Sequence, residues 1–269
     1  MNRFTYPLLA FILMLASTSV FAKPVTVTIE GFAFKPATVT LDLGDSITWT
    51  NKDTATHNTT ADNGEWASAN LGKDQSFTRV FKTAGTFAYH CSIHPGMTGK
   101  ITVRTAEETR VSIGKGIVSG RNPVLPITLD LAGKKAKQVY SGSYIVNAQG
   151  SCADCHSCPT YAAGHNPFKG ENLQFNAPTY LAGGVQFGPF VSRNLTPNDK
   201  GRPAGMTLAQ FKNTLRTGHS PNSPGSLLQV MPWPIYGKMS DTDLDAVYAY
   251  LSSIPSAVTP APACANAGQ

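Results

Sequence analysis

The sequence predicts two folded units of different class in one chain of 269 residues, an all-β sandwich followed by an all-α unit. Three observations carry this prediction. Between residues 25 and 104 the apolar residues recur with period two. From residue 136 onward the period becomes helical. Each half also holds its own dense group of sulfur and imidazole side chains, "CSIHPGM" at 91–97 and "CADCHSC" at 152–158.

The β half is built from "VTVTIE", "ATVTLDL", "SITWT", "SFTRVF", "GTFAYH" and "GKITVR", short runs rich in β-branched and aromatic residues. Gly, Asn, Asp and Lys separate them. Many short strands at this spacing read as an antiparallel sandwich. In the second half, "SDTDLDAVYAYLSS" places Leu244, Val247, Tyr248 and Leu251 on one helical face. Ser240 is its N-cap, Asp243 sits at the third helical position, and Pro255 stops the run. "TLAQFKNTLRTG" groups Leu208, Phe211 and Leu215 between Thr207 and Gly218, and "QVYSGSYIVNAQG" reads as a helix leading into the cysteine cluster. The long Gly/Pro/Asn-rich loops at 158–205 and 218–239 suit a domain wrapped around a large central group. Residues 105–135 show no clear periodicity and read as a linker.

The N-terminus predicts the compartment. A polar start with Arg3 precedes the apolar run Leu8 to Leu15, and Val20 and Ala22 are small residues at the positions a signal peptidase reads. Residues 1–22 are therefore expected to be a signal peptide, and the mature chain to be exported to a periplasm without a membrane span. The formal charge is +6, but it is diffuse. Residues 23–104 carry eight Lys/Arg against seven Asp/Glu, and residues 136–269 eight against six. With no basic run, nucleic acid is not an expected partner.

A thiolate, two imidazoles and a weak thioether make a blue-copper site. Cys91, His94 and Met97 lie on one tight loop, and His57 lies 34 residues upstream in "TNKDTATHNTT". Zinc takes the same His and Cys ligands; a thioether in the fourth position favours copper. His90 precedes Cys91 on a strand, so its side chain belongs to the opposite face and reads as structural. In the second cluster, Cys152–Ala153–Asp154–Cys155–His156 is the attachment pattern of a c-type haem, the two thiols binding covalently and His156 ligating iron. The competing readings are a thioredoxin-like redox pair, which lacks its βαβ context, and a zinc knuckle including Cys158, whose ligands are crowded. Met206, Met231, Met239, His165 and His219 are within range as a sixth iron ligand.

Over residues 25–104 the chain resembles the cupredoxins of the plastocyanin–amicyanin type, on "GFAFKPATVTLDLGDSITWTNKD", His57–Asn58 and "GTFAYHCSIHPGMTGKITV". The resemblance implies a Greek-key sandwich over 23–104 and one type 1 copper ion held by His57, Cys91, His94 and Met97. It implies that Asn58 ties the two ligand loops together and that His94 is the exposed electron portal. Residues 136–258 are similar to single-haem cytochrome c domains of periplasmic dehydrogenases, with residues 259–269 as a tail. In that family the axial methionine lies in the "MPW" motif, which is Met231 here, and Trp233, Tyr236, Phe211 and Tyr248 pack around the haem. Copper and the haem cysteines account for three of five cysteines. In cytochrome c domains the first and last helices pack together, which implies a Cys158–Cys264 disulfide in an oxidising compartment; a free Cys264 in a frayed tail is the alternative.

Each centre would have its coordination filled by protein, whereas a catalytic metal keeps a position open. The expected function is therefore that of an electron carrier between redox partner proteins rather than an enzyme. The alternatives are the electron-transfer subunit of a periplasmic dehydrogenase or reductase complex, and a copper-binding or copper-delivery protein.

Overall fold

The computed structural model describes residues 24–119, 123–223, 225–261 and 264–265. The expected signal peptide, 1–22, lies outside the described residues. The chain divides after Thr105 into two compact units.

The first unit contains β1 (Pro24–Ile29), β2 (Phe34–Lys35), β3 (Thr38–Asp42), β4 (Ser46–Asn51), β5 (Thr60–Ala61), β6 (Ser76–Val80), β7 (Gly85–His90) and β8 (Thr98–Arg104). They form two four-stranded sheets, ordered β2-β1-β4-β6 and β3-β8-β7-β5. Alternate residues of the strands turn inward: Val27, Ile29, Ile47 and Trp49 from one sheet, Leu41, Phe87, Tyr89, Ile101 and Val103 from the other, all buried. Trp49 is fully buried, stacked on Phe77 at 5.8 Å and edge-on to Tyr89 at 5.7 Å. The sandwich is not purely antiparallel. β1 runs parallel to β4, with Val27 opposite Trp49, and β3 runs parallel to β8, with Val39 opposite Ile101. Period-two alternation reports which face a residue occupies, not the direction of the neighbouring strand, and the chain changes sheet between β2 and β3 and again before β4.

The second unit contains α1 (Ala106–Val118), α2 (Ala136–Tyr144), α3 (Cys152–His156), β9 (Val185–Phe187), β10 (Phe190–Val191), α4 (Leu208–Thr217), α5 (Trp233–Tyr236), α6 (Asp241–Leu251) and β11 (Cys264–Ala265). A single wide turn, Ile145–Gln149, continues α2 toward the cysteine cluster. α4 opens with a capping box, Thr207 Oγ1 accepting from the Gln210 amide at 3.3 Å and Gln210 Oε1 from the Thr207 amide at 3.0 Å. Ser240 Oγ caps α6 through the Asp243 amide at 3.1 Å.

Two expectations change here. Residues 106–118 of the expected linker form α1, which belongs to the second unit. Its contact with α2 is made by Gly114: a β-carbon there would collide with the Tyr140 carbonyl, and Ser143 Oγ donates to the Gly114 carbonyl at 2.9 Å. A helix docked through a glycine leaves little apolar periodicity to read. The unit is also not all-α, since β10, β9 and β11 form a small sheet in which the expected tail supplies the edge strand beside β9. Tyr248 packs partly buried against the helical core as expected, its ring 5.6 Å from Phe211 and its hydroxyl donating to the Met206 carbonyl at 2.9 Å, and Tyr250 of α6 is fully buried as well. The α2–α6 crossing is close enough that a β-carbon on Gly142 would overlap the Ala246 carbonyl.

Candidate metal centre and cysteine cluster

β4 ends at Asn51, whose side-chain amide donates to the carbonyls of Ala55 (2.8 Å) and Leu71 (2.9 Å) and so shapes the loop carrying His57. His57 and Leu71 exchange both backbone hydrogen bonds, at 3.1 and 2.7 Å, which fixes the height of the imidazole. Cys91 follows directly on β7. Its loop folds on itself: the amide of His94 donates to Cys91, that of Met97 to His94 and that of Cys91 to Met97, at 3.1, 2.9 and 3.0 Å. The three-residue spacing of Cys91, His94 and Met97 is thus the repeat of these tight turns.

These loops bring His57, Cys91 and His94 together. Cys91 Sγ lies 3.8 Å from the Nδ1 atoms of both histidines, and the two Nδ1 atoms are 3.1 Å apart. One ion with bonds of about 2 Å to nitrogen and about 2.3 Å to sulfur spans such separations. Among the described residues this is the one group of three or more His, Cys, Asp or Glu donors so arranged. His57 and Cys91 are fully buried and His94 partly exposed. Met97 is buried in the core of the same unit, and its backbone closes the loop.

Two further residues hold the donors. The Asn58 amide donates to Cys91 Sγ at 3.4 Å. Its side chain joins the loops, donating to Ser92 Oγ at 2.7 Å and accepting from the Ser92 amide at 2.8 Å. Asp53 Oδ2 lies 3.1 Å from His57 Nε2, so the ring nitrogen remote from the cluster donates to a carboxylate and Nδ1 keeps a free lone pair. The backbone amides of Phe32 and Gly31 hold the Asp53 carboxyl below the usual carboxylate range. His90 lies apart from the cluster, its Nδ1 2.6 Å from Asp62 Oδ1.

In the second unit, Cys152, Cys155 and His156 share the single helical stretch α3. Burial pushes the Cys152 thiol up to about 12 and also raises Cys155. A thiol–disulfide exchanger needs the opposite, a lowered thiol. Cys158 and Cys264 lie with Cα atoms 6.2 Å apart, a separation that a disulfide spans, so Cys158 faces Cys264. His156 Nδ1 donates to the Arg193 carbonyl at 2.7 Å, leaving Nε2 as the free ligand atom. Of the methionines, Met206 is buried with Thr214 Oγ1 donating to its sulfur at 3.5 Å, while Met231 and Met239 are partly buried against the helical core. His165 Nδ1 faces the Asn172 carbonyl at 3.2 Å, and His219 is exposed. Tyr236 donates to the Gly150 carbonyl at 2.8 Å, beside the cysteine cluster. Two free thiols three residues apart, followed by a histidine oriented through Nδ1, fit covalent haem attachment.

Sequence reasoning missed Asp53, Phe32 and Arg193. Asp53 lies four residues before His57 in a polar loop, with no pattern to mark it. Arg193 contributes a carbonyl, which has no sequence signature.

Residues 22–104 match the family of copper binding proteins, plastocyanin/azurin family. Amicyanin of Paracoccus denitrificans is 31% identical over 93 residues, covering 33% of this chain and 71% of that protein. Chloroplastic plastocyanin of Tetradesmus obliquus is 40% identical over 84 residues, 26% of this chain and 58% of its own length. The gluconate 2-dehydrogenase cytochrome c subunit of Pantoea cypripedii is 32% identical over 112 residues, 42% of this chain but only 22% of that subunit. That match is longer than residues 22–104 and therefore reaches beyond them. The donors gathered at the sandwich end are those such a protein uses, and over residues 22–104 the chain belongs to the plastocyanin/azurin family of copper-binding electron carriers.

Proposed function

We propose that this chain is a periplasmic electron-transfer protein with a type 1 copper centre in residues 23–104 and one covalently bound haem c in residues 136–258, passing single electrons between redox partner proteins. The observation that carries this reading is the His57–Cys91–His94 donor set, with His57 and Cys91 buried, braced by Asn58 and Asp53. Met97 completes the copper ligands, and the partly exposed His94 is the portal. Cys152 and Cys155 hold the haem, and His156 and Met231 ligate its iron. When bound, each group supplies a one-electron couple. The protein's part is to keep both donor sets rigid, so that little rearranges when the charge changes. Covalent linkage of the two units gives an effective concentration on the order of millimolar for electron exchange between them.

Visible spectra before and after ascorbate, with copper analysis and a haem assay on the exported protein, test the cofactors. One copper and one haem per chain are expected; a protein lacking either refutes the corresponding half. In stopped flow, haem reduction should be followed by equilibration with copper at a rate independent of protein concentration. A bimolecular dependence would refute the internal step.

The similarity to a dehydrogenase cytochrome subunit favours a second reading, in which the chain is the electron-transfer subunit of a periplasmic dehydrogenase complex. Co-purification with a flavin- or quinone-containing dehydrogenase separates the two.

A further inference from the structure

Phe32 sits oddly for a surface residue. The residue is 54% exposed, and its backbone lies at φ 56°, next to Gly31 at φ 63°. Glycine enters the left-handed region freely, but a residue with a bulky side chain does so only when its surroundings hold it there. The holder is Asp53. The Gly31 amide donates to Asp53 Oδ1 at 2.7 Å and the Phe32 amide to Oδ2 at 2.9 Å. Oδ2 is also the partner of His57 Nε2, at 3.1 Å.

The conformation decides where the ring goes. Phe32 meets His57 edge-on, with centroids 5.2 Å apart and planes at 83°, and meets His94 in the same way at 5.0 Å and 85°. Both lie within the range of favourable edge-to-face pairs. The contacts close on themselves. One carboxylate orients the remote nitrogen of His57 and the backbone bearing Phe32, and the Phe32 ring rests against both imidazoles.

We infer that Phe32 is a positioning residue of the copper centre, its ring bracing His57 and His94 in their ligating orientations before the metal arrives. This rests on the copper reading above. It explains why an aromatic ring stays half in solvent on a disfavoured backbone: turned inward, the ring would leave the imidazoles unsupported. His94 gains most, because it is partly exposed and stands on a short loop rather than in the sandwich core. Ligands already in place reduce the rearrangement that accompanies electron transfer.

The test compares Phe32→Ala and Phe32→Tyr with the wild type, all as full-length protein. In the metal-free state, the imidazole NMR signals of His57 and His94 should be sharp in wild type and Phe32→Tyr. They should be exchange-broadened or doubled in Phe32→Ala. In the copper-loaded state, electron self-exchange should slow several-fold in Phe32→Ala and stay near wild type in Phe32→Tyr. The thermal midpoint should barely move, because the ring is half-exposed. Wild-type imidazole signals and self-exchange in Phe32→Ala would overturn the inference while leaving copper binding intact. A wild-type protein that binds no copper would remove the copper reading itself, and the inference with it.

Discussion

Replacing Asn58 with Ala severs the side-chain tie between the two ligand loops. Asn58 is 6% exposed, and its amide makes two short bonds to Ser92, at 2.7 and 2.8 Å, with a longer one to Asn70 Oδ1 at 3.3 Å. At a net ~1 kcal/mol for each short bond, the loss is about 2 kcal/mol. For a unit of this size, each kcal/mol moves the midpoint by roughly 4–8 °C, so a fall of about 8–16 °C is expected for the sandwich. The backbone bond from Asn58 to Cys91 Sγ does not require the side chain, so the variant should still bind copper. It should do so with a shifted reduction potential, because the loops bearing Cys91 and His57 are no longer joined. The assay is thermal unfolding of the metal-free protein, followed by tryptophan fluorescence, since Trp49 and Trp66 both lie in the sandwich core. Ser92→Ala is the graded control: it removes one acceptor and keeps the Ser92 amide bonded, so its fall should be about half as large. A midpoint within 2 °C of wild type for Asn58→Ala, with an unchanged potential, would refute the reasoning; that threshold is roughly the shift from a few tenths of a kcal/mol.

Cys91→Ser should abolish the thiolate-to-copper absorption and leave the haem spectrum unchanged; simultaneous loss of both would show that the centres are not independent. Met231→Ala should convert the haem iron to high spin or open it to outside ligands such as imidazole. If Met239→Ala does this and Met231→Ala does not, the axial ligand is Met239. Cys264→Ser opens a disulfide between residues 106 apart in sequence. In the chain-entropy model this costs about 4–5 kcal/mol, and it should lower the second unit's midpoint by roughly 10–20 °C. Two alkylatable thiols at Cys158 and Cys264 in the untreated protein would rule out the bridge.

What the sequence determined by itself is what local spacing encodes. Period-two alternation located the six main strands, because a strand with one buried face must repeat every second residue. Cys91, His94 and Met97 were legible because two successive tight turns of one loop carry them, and α4 and α6 because Thr207 and Ser240 cap recognisable apolar faces. Tertiary structure decided whatever depends on residues distant in the chain or on backbone atoms. The parallel pairings of β1 with β4 and β3 with β8 follow from changes of sheet that alternation does not record. Helix α1 docks through Gly114, whose missing side chain is its function and leaves no apolar mark. The Arg193 carbonyl that orients His156 is chemically identical in every residue type, so only the fold selects it. Asp53 and Phe32 lie 21 residues apart and act together because the end of β4 is brought beside the turn after β1. The ligands are written in the spacing of one loop, whereas the groups that hold them still exist as a set only once the sandwich has closed.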